Sequence, residues 1–248
     1  MLNYIKAELY RNFNRAYYWG YIGVLSALGI VMNIISLNGK MNVNLKGMFE
    51  FFTIILGAGM FLVLPIMDMV TAEERKNETL KNIVSFGVSR NKLVLSKIIS
   101  TIILSLIAVI VILSTFFGSA VIIFGIGQDF SLNVLNTFMI KLLVSIILWT
   151  AAVSMGIFIS FFFKSNVTFT FVYIGLFSMS KNIIKLLTTL VSDKFKYISN
   201  ILITTQFDKI SPQSATNDTL IFASLVGAVY IIVFTILTML YVRKMEVK

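Results

Sequence analysis

Long apolar runs, separated by short polar segments, recur along the whole chain. Each run can cross the hydrocarbon core of a bilayer as a helix, which needs about twenty residues. The pattern therefore predicts an all-α membrane protein with six transmembrane helices, folded as a single transmembrane domain over residues 1–248. The predicted spans are 17–37, 49–70, 98–126, 137–163, 167–187 and 219–241.

The N-terminal segment 1–16 has an amphipathic pattern instead. Apolar residues recur at helical spacing, and the basic residues Lys6, Arg11 and Arg15 lie off that stripe. A helix of this kind lies in the membrane interface, with its apolar face toward the acyl chains. The apolar stripe consists of Leu2, Ile5, Leu9 and Phe13.

Segment 188–218, before the last span, is not a plain loop. Ile198, Ile201 and Leu202 continue an apolar helical rhythm among lysines and serines, which predicts short re-entrant or interfacial helices. A polar turn that contains Pro212 follows them. We assign the whole segment to the extracellular side of the membrane.

Basic residues in the connections set the predicted orientation. Segment 71–97, the N-terminal segment and the tail are rich in Lys and Arg, and such segments stay in the cytoplasm. Both termini are therefore predicted to be cytoplasmic, in the plasma (cell) membrane. The lysines between 181 and 209 oppose this assignment, because they fall on the predicted outer side. The Lys- and Asn-rich, Ala-poor composition is typical of an AT-rich bacterial genome.

The composition argues against a soluble function. Hydrophobic residues make up 58% of the chain and charged residues 13%, whereas about a quarter of an average soluble domain is charged. A net charge of +10 would suggest nucleic acid in a soluble protein, but here the basic residues flank spans and face anionic lipid headgroups. We therefore expect membrane lipid, and no nucleic acid, as a partner.

Groups that carry enzyme chemistry are scarce. Cys and His are absent, and the sequence has no GxxxxGK[ST] phosphate loop, HExxH or GxSxG motif. We therefore expect no catalytic residue, metal site or bound cofactor on this chain. Asp68 is the acidic residue nearest to a span interior, and its place after Pro65 assigns it to the cytoplasmic interface. Polar residues within the spans are interpreted as interhelical hydrogen-bonding groups, so the substrate-binding residues stay unknown.

Segment 71–97 has the most informative pattern. Thr79 is placed to cap a short helix, Gly87 to bend the chain, and Ser89 to cap the helix that enters the third span. This pattern predicts a short cytoplasmic helix on the membrane surface, with Leu80 and Ile83 on a small apolar face. An ordinary charged interfacial loop is the alternative that the physical pattern leaves open.

The same segment resembles a known family. Its pattern E-x-x-x-x-T-L-K-N-I-V-S-x-G-V-S-R-x-K-L-x-L-S-K, from Glu74 to Lys97, is similar to the cytoplasmic loop of permease subunits in type-two ABC exporters. The subgroup that it resembles handles lantibiotics, bacteriocins and other amphipathic peptides. The family often has Gly in place of Glu78 and Pro in place of Gly87. The predicted layout of the whole chain is also similar to that of the family.

This resemblance implies a coupling site and partners. In the family the loop forms a coupling helix that docks on a separate ABC ATPase subunit, and that partner binds ATP and magnesium. Two permease chains, identical or paralogous, pair with two ATPase chains. By position, Ser89 and Arg90 are expected to fix the turn back into the membrane. The residues that are expected to form or flank the ATPase contact are Glu73, Glu74, Thr79, Leu80, Lys81, Asn82 and Ile83.

The expected function is ATP-driven export of an amphipathic or antimicrobial peptide, or of a lipid-like substrate. A non-transporting membrane immunity or sensor protein has the same fold signals and is the main alternative. A membrane enzyme is the third possibility, but it needs paired carboxylates, metal ligands or an activated nucleophile inside the bilayer. The sequence offers little of that chemistry.

Overall fold

The computed structural model describes residues 1–38, 44–76, 89–127, 130–163 and 165–244, with only the backbone described at 38 and 72–76. Throughout these ranges the regular structure is helical, without strands. Three short helices lie outside the long apolar ones. They are α1 (Leu2–Phe13), α9 (Phe195–Ile201) and α10 (Ile203–Ile210).

Six helical stretches in the described part of the chain are long and apolar enough to cross a membrane. This confirms the predicted fold class, an all-α protein with six candidate membrane helices. The second stretch is assembled from α3 (Leu45–Ile55), a 3-10 turn (Leu56–Ala58), α4 (Gly59–Leu62) and α5 (Leu64–Lys76). The other five are α2 (Ala16–Asn38), α6 (Arg90–Phe124), α7 (Leu132–Phe162), α8 (Asn166–Leu190) and α11 (Asn217–Lys244).

The short helices occupy the segments for which helices at the membrane surface are expected. Helix α1 lies within the predicted amphipathic segment 1–16, and α9 and α10 lie within segment 188–218. Their placement in a membrane interface, and the limits of the six spans, remain predictions. The turn between α7 and α8 is as short as the sequence indicates, since α7 ends at Phe162 and α8 begins at Asn166.

Helix α7 forms the centre of the bundle. Small residues let its neighbours approach closely, as is typical of helix packing in membranes. Ala151, Ala152 and Ser154 are fully buried. A Cβ atom at Gly156 would lie 2.6 Å from the sulfur of Met67 and 2.9 Å from the ring of Tyr173, so a larger residue there would displace both side chains.

A second core joins α2 to α5 and α6. Tyr18 and Ile22 of α2 are buried against apolar residues of the two other helices. The Tyr18 hydroxyl also donates a hydrogen bond to the Leu104 carbonyl, at 2.8 Å. The opposite face of α2 is exposed and apolar, and includes Val24, Leu28 and Ile35.

The second membrane stretch is interrupted twice. Pro65 has no N–H to donate, and the α-helical run is interrupted at Val63, just before it. The helical hydrogen bonds resume directly after it, because the Met67 N–H donates to the Val63 carbonyl at 2.9 Å. The proline therefore disturbs the helix without ending the stretch. The 3-10 turn at Leu56–Ala58 is a further interruption that the sequence pattern did not indicate.

Candidate functional site at the charged end of the bundle

The structure describes the two flanks of the predicted coupling segment but not its middle. Glu73 and Glu74 lie in the last turns of α5, and their side chains are outside the described atoms. Ser89 and Arg90 lie at the start of α6. The predicted contact residues that fall outside the described residues are Thr79, Leu80, Lys81, Asn82 and Ile83.

Ser89 occupies the N-cap position of α6, as predicted. Its backbone is extended, with φ −64° and ψ 145°, and its carbonyl accepts the Leu93 N–H at 3.1 Å. Its side chain forms no capping hydrogen bond. The turn into the membrane helix is therefore made by the backbone of Ser89, and not by the hydroxyl that the sequence suggested.

Arg90 connects the start of α6 to the end of α11. Its guanidinium donates to the carbonyls of Val242 at 3.0 Å and Arg243 at 2.7 Å. The last carbonyls of a helix have no partner within the helix, and a cation is favourable near them. Arg243 returns a bond, because its Nε donates to the Asn91 side chain at 2.9 Å. The last turn of the chain's final membrane helix is thus bound to one flank of the coupling segment.

Lys97 connects α1 to both flanks of the coupling segment, α5 and α6. Its ammonium is fully buried and lies 3.0 Å from the carboxylate of Glu8, which is also buried. It also donates to the Val70 carbonyl of α5 at 2.8 Å. Two charges so far from water persist only where the geometry is good and further hydrogen bonds satisfy them. One ammonium group therefore holds α1, α5 and α6 together.

Glu8 has further partners within α1. Arg11 pairs with its second carboxylate oxygen at 2.8 Å, and the buried Asn12 side chain donates to the Glu8 backbone carbonyl at 2.8 Å. Arg15 reaches across to the Met69 carbonyl of α5 at 3.4 Å. The face of α1 that carries Glu8 and Asn12 is therefore directed at α5 and α6. We call this part of the molecule the charged end; its defining residues are Glu8, Arg90, Lys97 and Arg243.

Sequence reasoning missed Glu8 and Lys97, although each carried a signal. Glu8 is the only acidic residue before Glu50. Lys97 immediately precedes the predicted third span. A lone carboxylate on a basic helix and a lysine at the edge of an apolar run are each candidates for an ion pair. The sequence does not, however, say that they are each other's partners.

Asp68 also lies near this end of the bundle. Its carboxylate accepts a hydrogen bond from the Asn166 side chain at 3.5 Å, where α8 begins. Among the described residues, no group of three or more acidic residues lies close enough to hold a metal ion. The charges described here pair with one another and with backbone carbonyls, an arrangement that connects helices.

A bundle of six apolar helices defines the class, a multi-pass α-helical membrane protein. Residues 14–178 match the family model described as ABC-2 family transporter protein. The match spans 165 of the 248 residues and includes the whole predicted coupling segment, so the chain belongs to this family. The family consists of permeases, the membrane transport subunits of ABC transporters, which work with an ABC ATPase. No curated protein matches the sequence.

Proposed function

We propose that this permease serves an ATP-driven exporter that moves an amphipathic or antimicrobial peptide, or a lipid-like substrate, out of the cell or membrane. A separate ATPase subunit would contact residues 73–83. The observation that carries the proposal is the set of bonds at the charged end, because they tie both flanks of that segment to other helices. Family membership and the resemblance of segment 71–97 support the same interpretation.

The charged end suggests how movement would pass from the ATPase into the membrane. A displacement of segment 77–88 acts on the end of α5 and the start of α6, because the segment connects them. Lys97 would carry that displacement to α1, and Arg90 would carry it to α11. ATP binding can shift a conformational equilibrium only through differential affinity for two states. In this proposal the ATPase binds the coupling segment with different affinity in the two states of the permease.

The assembly follows the ABC transporter pattern. Two permease chains, identical or paralogous, would pair with two ATPases that bind ATP and magnesium. The exposed apolar face of α2 would meet membrane lipid or the second permease chain. Both termini and segment 71–97 would lie in the cytoplasm of a bacterial cell, by the distribution of basic residues.

The coupling assignment is tested by co-purification with the ABC ATPase encoded beside this protein. We expect the ATPase to follow the wild type in detergent and to be lost from the Leu80→Asp/Ile83→Asp variant. A matched control, Ser214→Asp/Asn217→Asp, adds the same two charges to exposed positions at the opposite end of the bundle. It should retain the ATPase. Size-exclusion profiles of all three proteins show whether the membrane helices remain folded.

A wild type that stays folded but binds no ATPase would refute the exporter proposal. The better function would then be a stand-alone immunity or sensor protein, which needs no ATPase. Equal retention by the Leu80→Asp/Ile83→Asp variant would refute the coupling site alone, and the transporter would then contact its ATPase elsewhere.

The substrate class is tested in cells. Cells that express the permease with its ATPase should survive higher concentrations of a cationic amphipathic peptide than cells whose ATPase lacks its phosphate-loop lysine. Equal sensitivity of the two strains to a panel of such peptides would exclude this substrate class and leave the lipid-like one.

A further inference from the structure

A cavity of about 390 Å³ opens at the end of the bundle opposite the charged end. It lies between α3, the first turns of α7 and the segment that follows α10. Several polar and charged side chains lie in its wall beside apolar ones. The lining residues relevant here are Lys46, Glu50, Asn133, Thr137 and Lys141.

Lys141 is the deepest charge in this cavity. It is 2% exposed, and its ammonium donates to the backbone carbonyls of Pro212 at 2.7 Å and Ser211 at 3.3 Å. No carboxylate among the described residues lies within 4.0 Å of it. Lys97, the other buried lysine at a helix junction, is paired with Glu8. Within the part of the chain that the structure describes, the charge of Lys141 is thus solvated by two neutral carbonyl oxygens and by no carboxylate.

The rest of the lining does not neutralise this charge. Among the described lining residues the one carboxylate is that of Glu50, and it lies 3.9 Å from the ammonium of Lys46. Both of those side chains are more than one third exposed, so their pair is at the mouth. Asn133 and Thr137 are also exposed there and offer polar groups to a ligand. The described lining residues, with two cations and one carboxylate, therefore carry one net positive charge.

The side chain of Lys141 is within reach of the headgroup region of a bilayer. Helix α7 has 31 residues and is about 46 Å long at 1.5 Å per residue, against a hydrocarbon core of about 30 Å. If the core is centred on the helix, about 8 Å of α7 extends beyond it at each end. Lys141 is nine residues from the start of α7, so it lies about 6 Å below that boundary. A lysine side chain can span this distance toward the lipid phosphates.

We propose that this cavity binds the phosphate group of an anionic phospholipid, with Lys141 as its ion-pair partner. A phosphate oxygen supplies the negative charge that the site lacks, and a charge-assisted hydrogen bond is about twice as strong as a neutral one. Asn133 and Thr137 would bind the remaining headgroup atoms at the mouth. The site does not depend on the proposed transport function or on the identity of an ATPase.

The test measures thermal stabilisation of the full chain in detergent by added lipid. Phosphatidylglycerol should raise the melting temperature of the wild type, and phosphatidylcholine or inorganic phosphate should raise it much less. Lys141→Met should weaken the phosphatidylglycerol response about tenfold or more in concentration. Lys141→Arg should keep the response, since it keeps the charge. Lys185→Met, at an exposed lysine in the half of α8 that leads toward α9, should behave as the wild type does.

The outcomes separate the possible sources of the anion. Equal stabilisation by phosphatidylcholine would show that charge does not govern binding, and would overturn the proposal. Equal stabilisation by inorganic phosphate would overturn the lipid as ligand, because the site would then take a free anion. An unchanged response in Lys141→Met would exclude Lys141 as the partner. If Lys141→Met does not fold, loss of the response in Lys46→Met and its retention in Lys141→Arg still test the site.

Discussion

The buried pair between Glu8 and Lys97 permits a quantitative test of the charged end. Glu8→Leu removes the carboxylate and leaves the Lys97 ammonium buried with the Val70 carbonyl at 2.8 Å. Removal of one partner of a buried ion pair typically costs about 3–5 kcal/mol, because the other charge stays in a low dielectric without compensation. We therefore expect Glu8→Leu to lower the stability of the folded bundle by an amount in this range.

Lys97→Met should be the milder of the two single substitutions. The Glu8 carboxylate keeps Arg11, at 2.8 Å on its other oxygen, and that arginine is 35% exposed. Because a neighbouring cation and some water remain available, we expect a cost at the lower end of the same range, about 3 kcal/mol. Methionine also fills most of the space of the lysine stem, so a cavity contributes little.

The double variant Glu8→Leu/Lys97→Met tests whether the two residues stabilise the bundle as a pair. Replacement of a buried ion pair by apolar residues of similar volume is often close to neutral. The double variant should therefore be at least about 2 kcal/mol more stable than the sum of the two single changes predicts, as for residues that act as one unit. The assay is thermal or denaturant unfolding in a fixed detergent, monitored through Trp19 and Trp149 fluorescence. Strict additivity of the two changes would refute the ion pair as a stabilising unit.

The same variants also test transmission. If Lys97 conveys the movement of the coupling segment, the stable double variant should still bind its ATPase and yet show reduced substrate-dependent stimulation of ATP hydrolysis. A double variant with normal stimulation would mean that the pair only holds the helices in place. Binding and stimulation are measured on the same reconstituted sample, so loss of assembly is not mistaken for loss of coupling.

Three further substitutions test other contacts. Arg90→Ala should lower the free energy of unfolding by about 1 kcal/mol, a value discounted for the partial exposure of Arg90. It should also speed amide hydrogen exchange in the last turn of α11. The control Lys92→Ala should change neither quantity. Gly59→Ala places a Cβ 2.3 Å from the Trp149 ring and should cost about 1–3 kcal/mol in thermal unfolding; Gly118→Ala, with no atom within 4 Å, should not destabilise. Trp149→Phe keeps an aromatic ring but removes the bond to the Leu56 carbonyl and part of the buried indole, and should cost at least about 1–2 kcal/mol in the same assay.

The fold class could be predicted because it depends on local information. Six apolar runs with few charges within them are properties of consecutive residues, and in a bilayer such runs form membrane-spanning helices. The helical rhythm of segment 188–218 is equally local, and α9 and α10 lie within it. The backbone turn at Ser89 was predictable for the same reason, since an N-cap is decided by a few neighbouring residues.

The partners of the charged residues could not be predicted in this way. Glu8 and Lys97 are 89 residues apart, and Arg90 and Arg243 are separated by 153. Hydropathy places Arg90, Lys97 and Arg243 near the ends of apolar runs, but many basic residues share that property. Which carboxylate or carbonyl each one meets depends on how the helices pack, and that is decided by small residues such as Gly156.

The interruptions of the second membrane stretch are likewise not predictable from hydropathy. Side chains of other helices supply the hydrogen bonds that the interrupted helix lacks. A carbonyl without a helical donor is costly inside a bilayer, because water cannot replace the lost bond. Three donors from three other helices reach carbonyls around the interruption. Tyr21 of α2 donates to Leu62 at 2.6 Å, Tyr173 of α8 donates to Met60 at 2.7 Å, and Trp149 of α7 donates to Leu56 at 3.0 Å.

These donors also explain why aromatic residues with polar groups lie within apolar helices. Tyr173 is fully buried and Trp149 nearly so, and each contributes a large apolar ring together with one N–H or O–H. Replacement by Phe would preserve the hydropathy pattern and remove the donor, so hydropathy alone cannot register their role. The irregular stretch is stable because it is enclosed by protein that supplies its hydrogen bonds. The last helix of this stretch, α5, leads directly into the coupling segment. The two interruptions therefore lie between α3 and the segment on which an ATPase would act.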